Sequence, residues 1–565
     1  MNLSRREFLE LLALAGAAGI WPGLARAADP YDLPPFGNVG LLHYTDCHAQ
    51  LLPIHFREPH VNLGIGDMHG RPPHLVAEQF LRRFEIAPGS LEAHAFTPID
   101  FVEAARKYGK VGGFAHLATL VKRIRASRPG SLLLDGGDTW QGSATSLWSN
   151  AQDMVDAQLA LGVDIMTPHW EMTFGAERVK QIVENDFAGK IDFVAQNVID
   201  KDWEEPIFQA YSMREVNGVP VAVIGQAFPY TPIANPGYMI PQWSFGIRDD
   251  RMQEVIDEAR GKGAQVVVLL SHNGMDVDLK LASRVSGLDA ILGGHTHDAI
   301  PQPLLVENAG GKTLVCNAGS NGKYLAVLDL DVRDGKLRDF RYRLLPVFSN
   351  LLPADPEMQA LIDRHRKPYL DKLAEPLAVT DSLLYRRGNF NGTFDQLICD
   401  ALMATHDCPI ALSPGFRWGT SLLPGSTITF EDLMTQTAIT YPTVTVSEMT
   451  GSLLKDILED VGDNLFNVDP YRQQGGDMVR VGGLRYAMDP TAKIGARISA
   501  MELDGKPIDP SKTYKVVGWA AVGEPLEGTP AWDAVAEYLR DRKTVRIDAV
   551  NEPKLLNVDG NPGLA

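Results

Sequence analysis

Cysteine is scarce. Cys47, Cys316, Cys399 and Cys408 are the only four in 565 residues, too few for a disulfide scaffold, and none has the Cys-x-x-Cys spacing of a zinc ribbon or redox pair. Blocks of Lys and Arg are absent as well, and 71 acidic against 53 basic residues give a formal net charge of −18. That balance excludes a protein that tracks a nucleic-acid backbone and disfavours polyanionic partners. Beyond the first 27 residues no run of 18 apolar residues exists, so no membrane span is expected. Internal repeats and low-complexity tracts are also missing. What is present, 45% apolar and 22% charged residues over a length suited to two or three domains, describes a globular protein that depends on a large core.

The opening segment has a separate logic. Ser4-Arg5-Arg6-Glu7-Phe8-Leu9 precedes an apolar stretch that runs to Leu24 and ends in Ala25-Arg26-Ala27. This reads as a twin-arginine export signal over residues 1–27, cleaved after Ala27, which predicts a periplasmic protein. The competing reading, a membrane anchor, is weakened by Gly16, Gly19, Pro22 and Gly23 and by a run shorter than the ~20 residues that a span needs. Twin-arginine export carries folded proteins, which suits a chain that acquires metal before it leaves the cytoplasm.

From Gly37 to about Asp331, short apolar runs end repeatedly in Gly, Asn, Asp or His. Leu41–Thr45, Ser131–Leu134, Val221–Ile224 and Val266–Leu270 are the clearest and read as buried strands. Helical patterns lie between them, Phe114–Ala126 with Leu117, Leu120, Val121 and Ile124 among them, so this half is α/β. Residues 351–376, charged, periodic and bounded by prolines, predict a linker helix between a first domain over 36–350 and a second over 377–560. The stretch from His55 to Pro73, rich in Gly, Pro, Arg and His, predicts a long functional loop.

Twelve of the fourteen histidines precede residue 300. Asp46-Cys47-His48, Gly136-Gly137-Asp138, His169-Trp170-Glu171, Ser271-His272-Asn273 and Gly293-Gly294-His295-Thr296-His297 each follow a predicted strand. The carboxyl ends of strands in such a sheet face one crevice, so five segments deliver Asp and His to one place. A carboxylate and imidazole set without thiolate favours a hydrolytic centre over a structural zinc site. The set exceeds the needs of one ion, and two ions ~3.5–4 Å apart would share a bridging carboxylate and activate a water.

In order and composition these motifs resemble the calcineurin-like two-metal phosphoesterases, and with the following domain the 5′-nucleotidase family, over nearly the whole chain after residue 27. Arg57-Glu58-Pro59, Gly70-Arg71-Pro72-Pro73-His74-Leu75, Gly137-Asp138-Thr139-Trp140-Gln141-Gly142-Ser143 and His169-Trp170-Glu171 resemble more specifically the SoxB group, the thiosulfohydrolases of the Sox sulfur-oxidation system. The resemblance implies a metallophosphoesterase-type β-sandwich flanked by helices, a linker helix, and a C-terminal 5′-nucleotidase-type α/β domain. It implies two divalent ions, manganese expected, with Asp46, His48 and His297 on one, His169, His272 and His295 on the other, and Asp138 bridging. It further implies hydrolysis, by metal-activated hydroxide, of a cysteine S-thiosulfonate on a SoxYZ-type carrier, met transiently by a monomer. In nucleotidases the fourth element is Gly-Asn-His-Glu. If Glu171 aligns with that Glu, His169 stands for the Asn ligand and Trp170 for the catalytic His. An imidazolium beside a leaving alkoxide is typically worth ~10²–10⁴-fold, whereas a persulfide leaves without such help, so Trp170 fits an S-thiosulfonate better than a nucleotide. The alternatives are an exported 5′-nucleotidase, or other nucleotide phosphoesterase, and a non-catalytic carrier-binding protein.

In the second domain, Ser413-Pro414-Gly415-Phe416-Arg417-Trp418-Gly419 resembles the Gly-x-Arg element by which nucleotidases hold substrate, and the planar fork of Arg417 suits a sulfonate. Arg417, Trp170 and Tyr441 are the expected substrate contacts, with Asp138, Arg417 and Trp170 the expected catalytic set. Gln473-Gln474-Gly475-Gly476 is a further candidate for the cleft lining. Arg386-Arg387-Gly388-Asn389-Phe390-Asn391-Gly392 reads either as the entry to this domain or as a charged helix start. The loop from His55 to His74, with its four histidines as wall residues, is expected to flank a channel between the domains. His43 is expected in the core or behind the ligands, Glu171 behind a ligand, and Cys47 packed and inert. Cys399 and Cys408 could pair after export.

Overall fold

The computed structural model describes residues 29–565, so the export signal and its cleavage site at Ala27 lie outside the described residues. Among the described residues no helix is long and apolar enough to cross a membrane.

Two six-stranded sheets build the first half. One runs, edge to edge, Lys336–Pro346, Tyr324–Arg333, Val39–Tyr44, Leu132–Asp135, Ile165–Met166 and Asp192–Phe193; the other runs Leu304–Asn308, Gly311–Asn317, Ala290–Gly293, Val266–Ser271, Val219–Gln226 and Tyr211–Val216. Side-chain alternation decides how they pack. Val39, Leu41, Leu132, Leu134 and Ile165 of the first sheet share one core with Val221, Val223 and Val266 to Leu270 of the second. Leu42, Tyr44, Leu133 and Met166, on the opposite face, pack with Leu117, Leu120, Val121 and Ile124 of helix Phe114–Ala126 and with Met358 and Ile362 of helix Pro356–Arg366. The result is the β-sandwich flanked by helices that the sequence implies, and it explains the continuous apolar runs, since these strands are covered on both faces.

The neighbouring strands Val39–Tyr44, Leu132–Asp135 and Ile165–Met166 are parallel, as are Val219–Gln226, Val266–Ser271 and Ala290–Gly293. Their carboxyl ends therefore lie on one side, where all five metal-motif segments begin. The helical stretch from Pro356 through Leu373 leads into strand Pro376–Thr380. Beyond it, helices Thr393–His406 and Ala531–Arg542 pack on each other, and the first also covers strands Ile410–Ser413 and Arg480–Gly482. Helix Thr393–His406 begins after the Arg386 to Gly392 segment, which is a loop. All four cysteines are buried free thiols, Cys399 and Cys408 included.

The loop from His55 to His74 is held by three ties. Buried Lys323 donates to Glu58 (2.6 Å), Leu63 N–H donates to Asn389 (2.7 Å), and residues 561–565 pair along it, with Asn62 N–H on the Gly563 carbonyl and Ala565 N–H on the His60 carbonyl.

Candidate metal centre

Seven buried side chains converge where the strands end. Asp138, His169, His272 and His295 form one group of donors and Asp46, His48, Asp138 and His297 another, the donor atoms of each lying within 4.8 Å of one another. Asp138 belongs to both groups, as a bridging carboxylate must. His272 Nε2 stands 3.0 Å from Asp138, and His169 Nδ1 also 3.0 Å from it. His297 Nε2 is 3.2 Å from Asp46 and 3.0 Å from His48 Nε2.

Sharp turns aim these groups. Asp46, His48, Asp138, His295 and His297 all have positive φ, between 47° and 71°, a conformation that costs non-glycine residues energy and persists where the surroundings over-determine it. Those surroundings are visible. Asp135 accepts from Tyr44 Oη, Gly137 N–H, Thr139 Oγ1 and Gln158 Nε2, which fixes the turn before Asp138. Glu171 accepts four backbone N–H groups, from Asp138, Thr139, Trp140 and His169. It thus clamps the bridging-carboxylate turn to the His169 turn, and it acts on the backbone rather than on a ligand's ring. His43, buried in the strand, belongs to neither donor group.

Ring orientation is also set. His48 Nδ1–H donates to the Gln141 carbonyl (3.1 Å) and His272 Nδ1–H to the Gly136 carbonyl (2.5 Å), which leaves each Nε2 lone pair for a cation. Gly475, at φ +75°, presses on His295: a Cβ placed there would stand 1.8 Å from Nε2. Nδ1 is then the nitrogen of His295 open to the donor group.

Burial pushes His48 down to about 4 and holds His295, His297 and His169 below the usual imidazole value, so these rings are neutral lone-pair donors. Burial also opposes a charge on His272, but Asp138 and Asp46 outweigh it and bring the ring up to about 10. Burial likewise works against the Asp138 anion, yet His169 and His272 keep it well below the ordinary carboxylate range. The proton of His272 sits between two carboxylates, where a divalent cation would displace it. Together with the shared carboxylate, this donor chemistry fits two ions.

In front of the donors a cavity of about 280 Å³ opens between the two halves of the chain, lined by His48, Asp138, His169, His295 and His297 on one side and by Arg417, Trp418, Gln474 and Gly476 on the other. Trp170 lines it, with its ring edge-on to Phe416 (5.3 Å) and Trp418 (4.9 Å). Three aromatic residues not singled out from the sequence complete the wall. Trp418 stacks on His48 at 5.0 Å, Phe228 on His295 at 4.1 Å, and Phe416 on Trp418 at 4.1 Å. Phe228 follows the strand Val219–Gln226, so the strand-end argument that found the histidines would have found it too.

Two expectations require correction. Tyr441 is not part of the lining; it lies parallel to Trp170 at 6.2 Å and is buried behind it. The His55 to His74 loop does not reach the lining of this cavity; its Asn62, Leu63, Pro73 and His74 line a smaller adjoining cavity between the two halves, with Arg387, Asn389 and Arg417, and Glu58, Pro59, Asn62 and Pro73 line a third. Gln473 faces one of these as well. Arg417 lines the front cavity but is partly engaged, donating to the carbonyls of His295 (3.1 Å) and Gly476 (2.6 Å) and pairing through Nε with buried Asp477 (3.5 Å). One N–H on each terminal nitrogen is left over. Cys47 packs in the core with its thiol pushed well up by burial, so it is no nucleophile.

Comparison with known proteins agrees with this geometry. The 5′-nucleotidase C-terminal domain is recognised over residues 378–532. Bovine 5′-nucleotidase is 25% identical over 457 residues, 72% of this chain and 76% of that protein; the human enzyme is 24% identical over 458 residues, with the same coverage. Among solved structures, the Thermus thermophilus sulfate thiohydrolase SoxB, in complex with glycerol, superposes with a TM-score of 0.88 and 37% identity, over 93% of this chain and 98% of that one. A 5′-nucleotidase precursor from Thermus thermophilus shares the fold, with a TM-score of 0.72, 22% identity, and coverage of 92% and 99%.

Proposed function

The chain belongs to the SoxB family within the 5′-nucleotidase superfamily, and from that premise we propose that it is a thiosulfohydrolase, which removes the terminal sulfonate of a cysteine S-thiosulfonate as sulfate. The observation that carries this reading is Trp170. The turn that holds the ligand group His169 places an indole beside the metal donors, against Phe416 and Trp418, at the position that the resemblance assigns to the catalytic imidazole of the nucleotidases. An aromatic wall suits polarisable divalent sulfur and offers no proton to a leaving alkoxide.

Two divalent ions, when bound, supply an activated water and neutralise charge on the oxyanion. The chain's own residues do the rest. Asp138 holds both donor groups in register, and Glu171 holds the backbone that carries Asp138 and His169. The free N–H groups of Arg417 contact the sulfonate oxygens. Trp170, Phe416 and Trp418 exclude bulk water from the disulfane. In the balanced reaction the oxygen of water bonds to the sulfonate sulfur, the S–S bond breaks with its electron pair going to the inner sulfur, and sulfate and a carrier persulfide result. The substrate arrives on the cysteine of a SoxYZ-type carrier, in the periplasm, and manganese occupies the site.

The second reading, an exported 5′-nucleotidase, is favoured by the curated sequence relatives, which are nucleotidases. The two part on products. Metal-loaded protein is expected to release sulfate from an S-thiosulfonate-loaded carrier far faster than phosphate from AMP; the reverse ratio would establish the nucleotidase.

A further inference from the structure

Beside the metal donors lie the two small cavities; the larger adjoins the front cavity, sharing His295, Arg417, Gly475 and Asp477 with its lining. The larger, about 50 Å³, is bounded by His295, Arg387, Asp298 and His74. The smaller, about 30 Å³, is bounded by His297, Asp298, Arg387, Glu58, Asn62 and a set of apolar side chains. Asn62, Pro73, Asp298 and Arg387 line both.

Three polar atoms on residues that line the smaller cavity are buried and have no hydrogen-bond partner: His297 Nδ1, Asp298 Oδ2 and Arg387 Nε. Their residues are only 3%, 8% and 5% exposed. Each residue is otherwise held: Arg387 Nη1 also faces Asp477 (3.8 Å), and Asp298 also meets the Thr296 hydroxyl. His297 directs Nε2 at Asp46 and His48, so Nδ1 is its remaining nitrogen. Asp298 Oδ1 accepts from Asn62 Nδ2 (3.3 Å), and Arg387 Nη2 donates to the Thr296 carbonyl (2.9 Å). The other polar side chains of the lining are engaged, Glu58 with Lys323 and Tyr324, and Asn62 with His74 and the Pro73 carbonyl.

Residues that carry two unmet donors and one unmet acceptor line a space of about 30 Å³, room for one buried water. Such waters typically make about three hydrogen bonds, and a polar cavity of this size has room for one or two. Leaving the three groups unmet would be destabilising, most of all for the charged ones. A histidine that binds metal almost always passes its other N–H to a carboxylate, a carbonyl or a water.

We infer that an ordered water binds behind His297, accepting from His297 Nδ1–H and Arg387 Nε–H and donating to Asp298 Oδ2, so that Asp298 and Arg387 are positioning residues for that ligand. The inference rests on the two-ion reading of the site and on nothing about the substrate. The water fixes the His297 tautomer and directs the Nε2 lone pair at the ion held by Asp46 and His48.

The test is manganese binding, followed by titration and by the spectroscopic signature of paired and single ions, with a crystal structure of the metal-loaded wild type beside it. A solvent peak within hydrogen-bond distance of all three atoms is expected. Asp298→Leu is expected to weaken the ion at Asp46, His48 and His297 by about 10–100-fold with a much smaller effect on the other ion, while Asp298→Asn, which keeps an acceptor, stays close to wild type. A dry cavity in the loaded wild type, or Asp298→Leu weakening both ions equally or neither, would overturn the inference. Wild-type protein that binds fewer than two ions would overturn the two-ion reading and this one with it. Because no arm measures sulfate release, failure here is distinct from failure of the proposed reaction.

Discussion

Single residues decide what the site can attack. Trp170 stands beside the donors where an imidazole would assist an alkoxide, so Trp170→His is expected to raise phosphate-ester turnover, by up to the ~10²-fold that a general acid commonly supplies, while sulfate release falls. Paired assays with p-nitrophenyl phosphate and an S-thiosulfonate measure both, and an unchanged ratio would remove Trp170 as the selectivity determinant. Glu171 works at the same scale on a different quantity. Because its carboxylate receives four backbone N–H groups, Glu171→Ala orphans the two turns that aim Asp138 and His169. Metal affinity is expected to drop by about 10–100-fold, as read by competition with a chelator. At this scale the sequence was informative in one direction only. Asp and His after strand ends were legible because chemistry restricts which residues can bind a hard cation. The left-handed backbone at Asp46, Asp138 and His297, and the engagement of Arg417 by two carbonyls, were not, since each depends on the path of a distant segment.

Loops and strands set where those residues meet. Gly475 belongs to the second half of the chain, yet it presses on His295 from the first, and a Cβ there would overlap the imidazole. Gly475→Ala is therefore expected to displace His295 and to lower metal occupancy and activity together, with little change in far-UV circular dichroism. The His55 to His74 loop carries a pH-dependent tie. His74 Nε2 lies 2.9 Å from Asp276; burial opposes its charge, but Asp276 prevails and raises its pKa. A raised value means that the pair stabilises fully below the ordinary imidazole value of about 6.5 and loses that contribution as pH rises through the folded value. His74→Gln is expected to cost about 1.5–3 kcal/mol in the acidic range and much less above pH 9, as followed by thermal melts at the two pH values. The strands and the helix Phe114–Ala126 were legible from periodicity because both faces of the sheet are buried. The position of the His55 to His74 loop was not. Nearness in sequence to Asp46 pointed to the wall of the main cavity, whereas pairing with residues 561–565 and the Lys323–Glu58 ion pair hold the loop at a smaller adjoining one.

Over the whole molecule, the scarcity of positive charge takes on a narrower meaning. A net charge of −18 disfavours polyanions, but the cavity between the halves gathers the donors for two cations and Arg417, itself paired with Asp477, so under the proposed function the bound ions would draw a single small oxyanion locally. The first half supplies every metal donor; the second supplies Arg417, Phe416, Trp418 and Gly475, which shape what reaches them. In the proposed reaction water attacks the sulfonate sulfur at the site organised by Asp138. The most direct measurement is hydrolysis of an S-thiosulfonate-loaded carrier in ¹⁸O-water by manganese-loaded protein, with mass analysis of the products and Asp138→Ala in parallel. Sulfate carrying one solvent oxygen, absent with Asp138→Ala, is the predicted result. Unlabelled sulfate, sulfite in its place, or labelled sulfate undiminished in Asp138→Ala would contradict it.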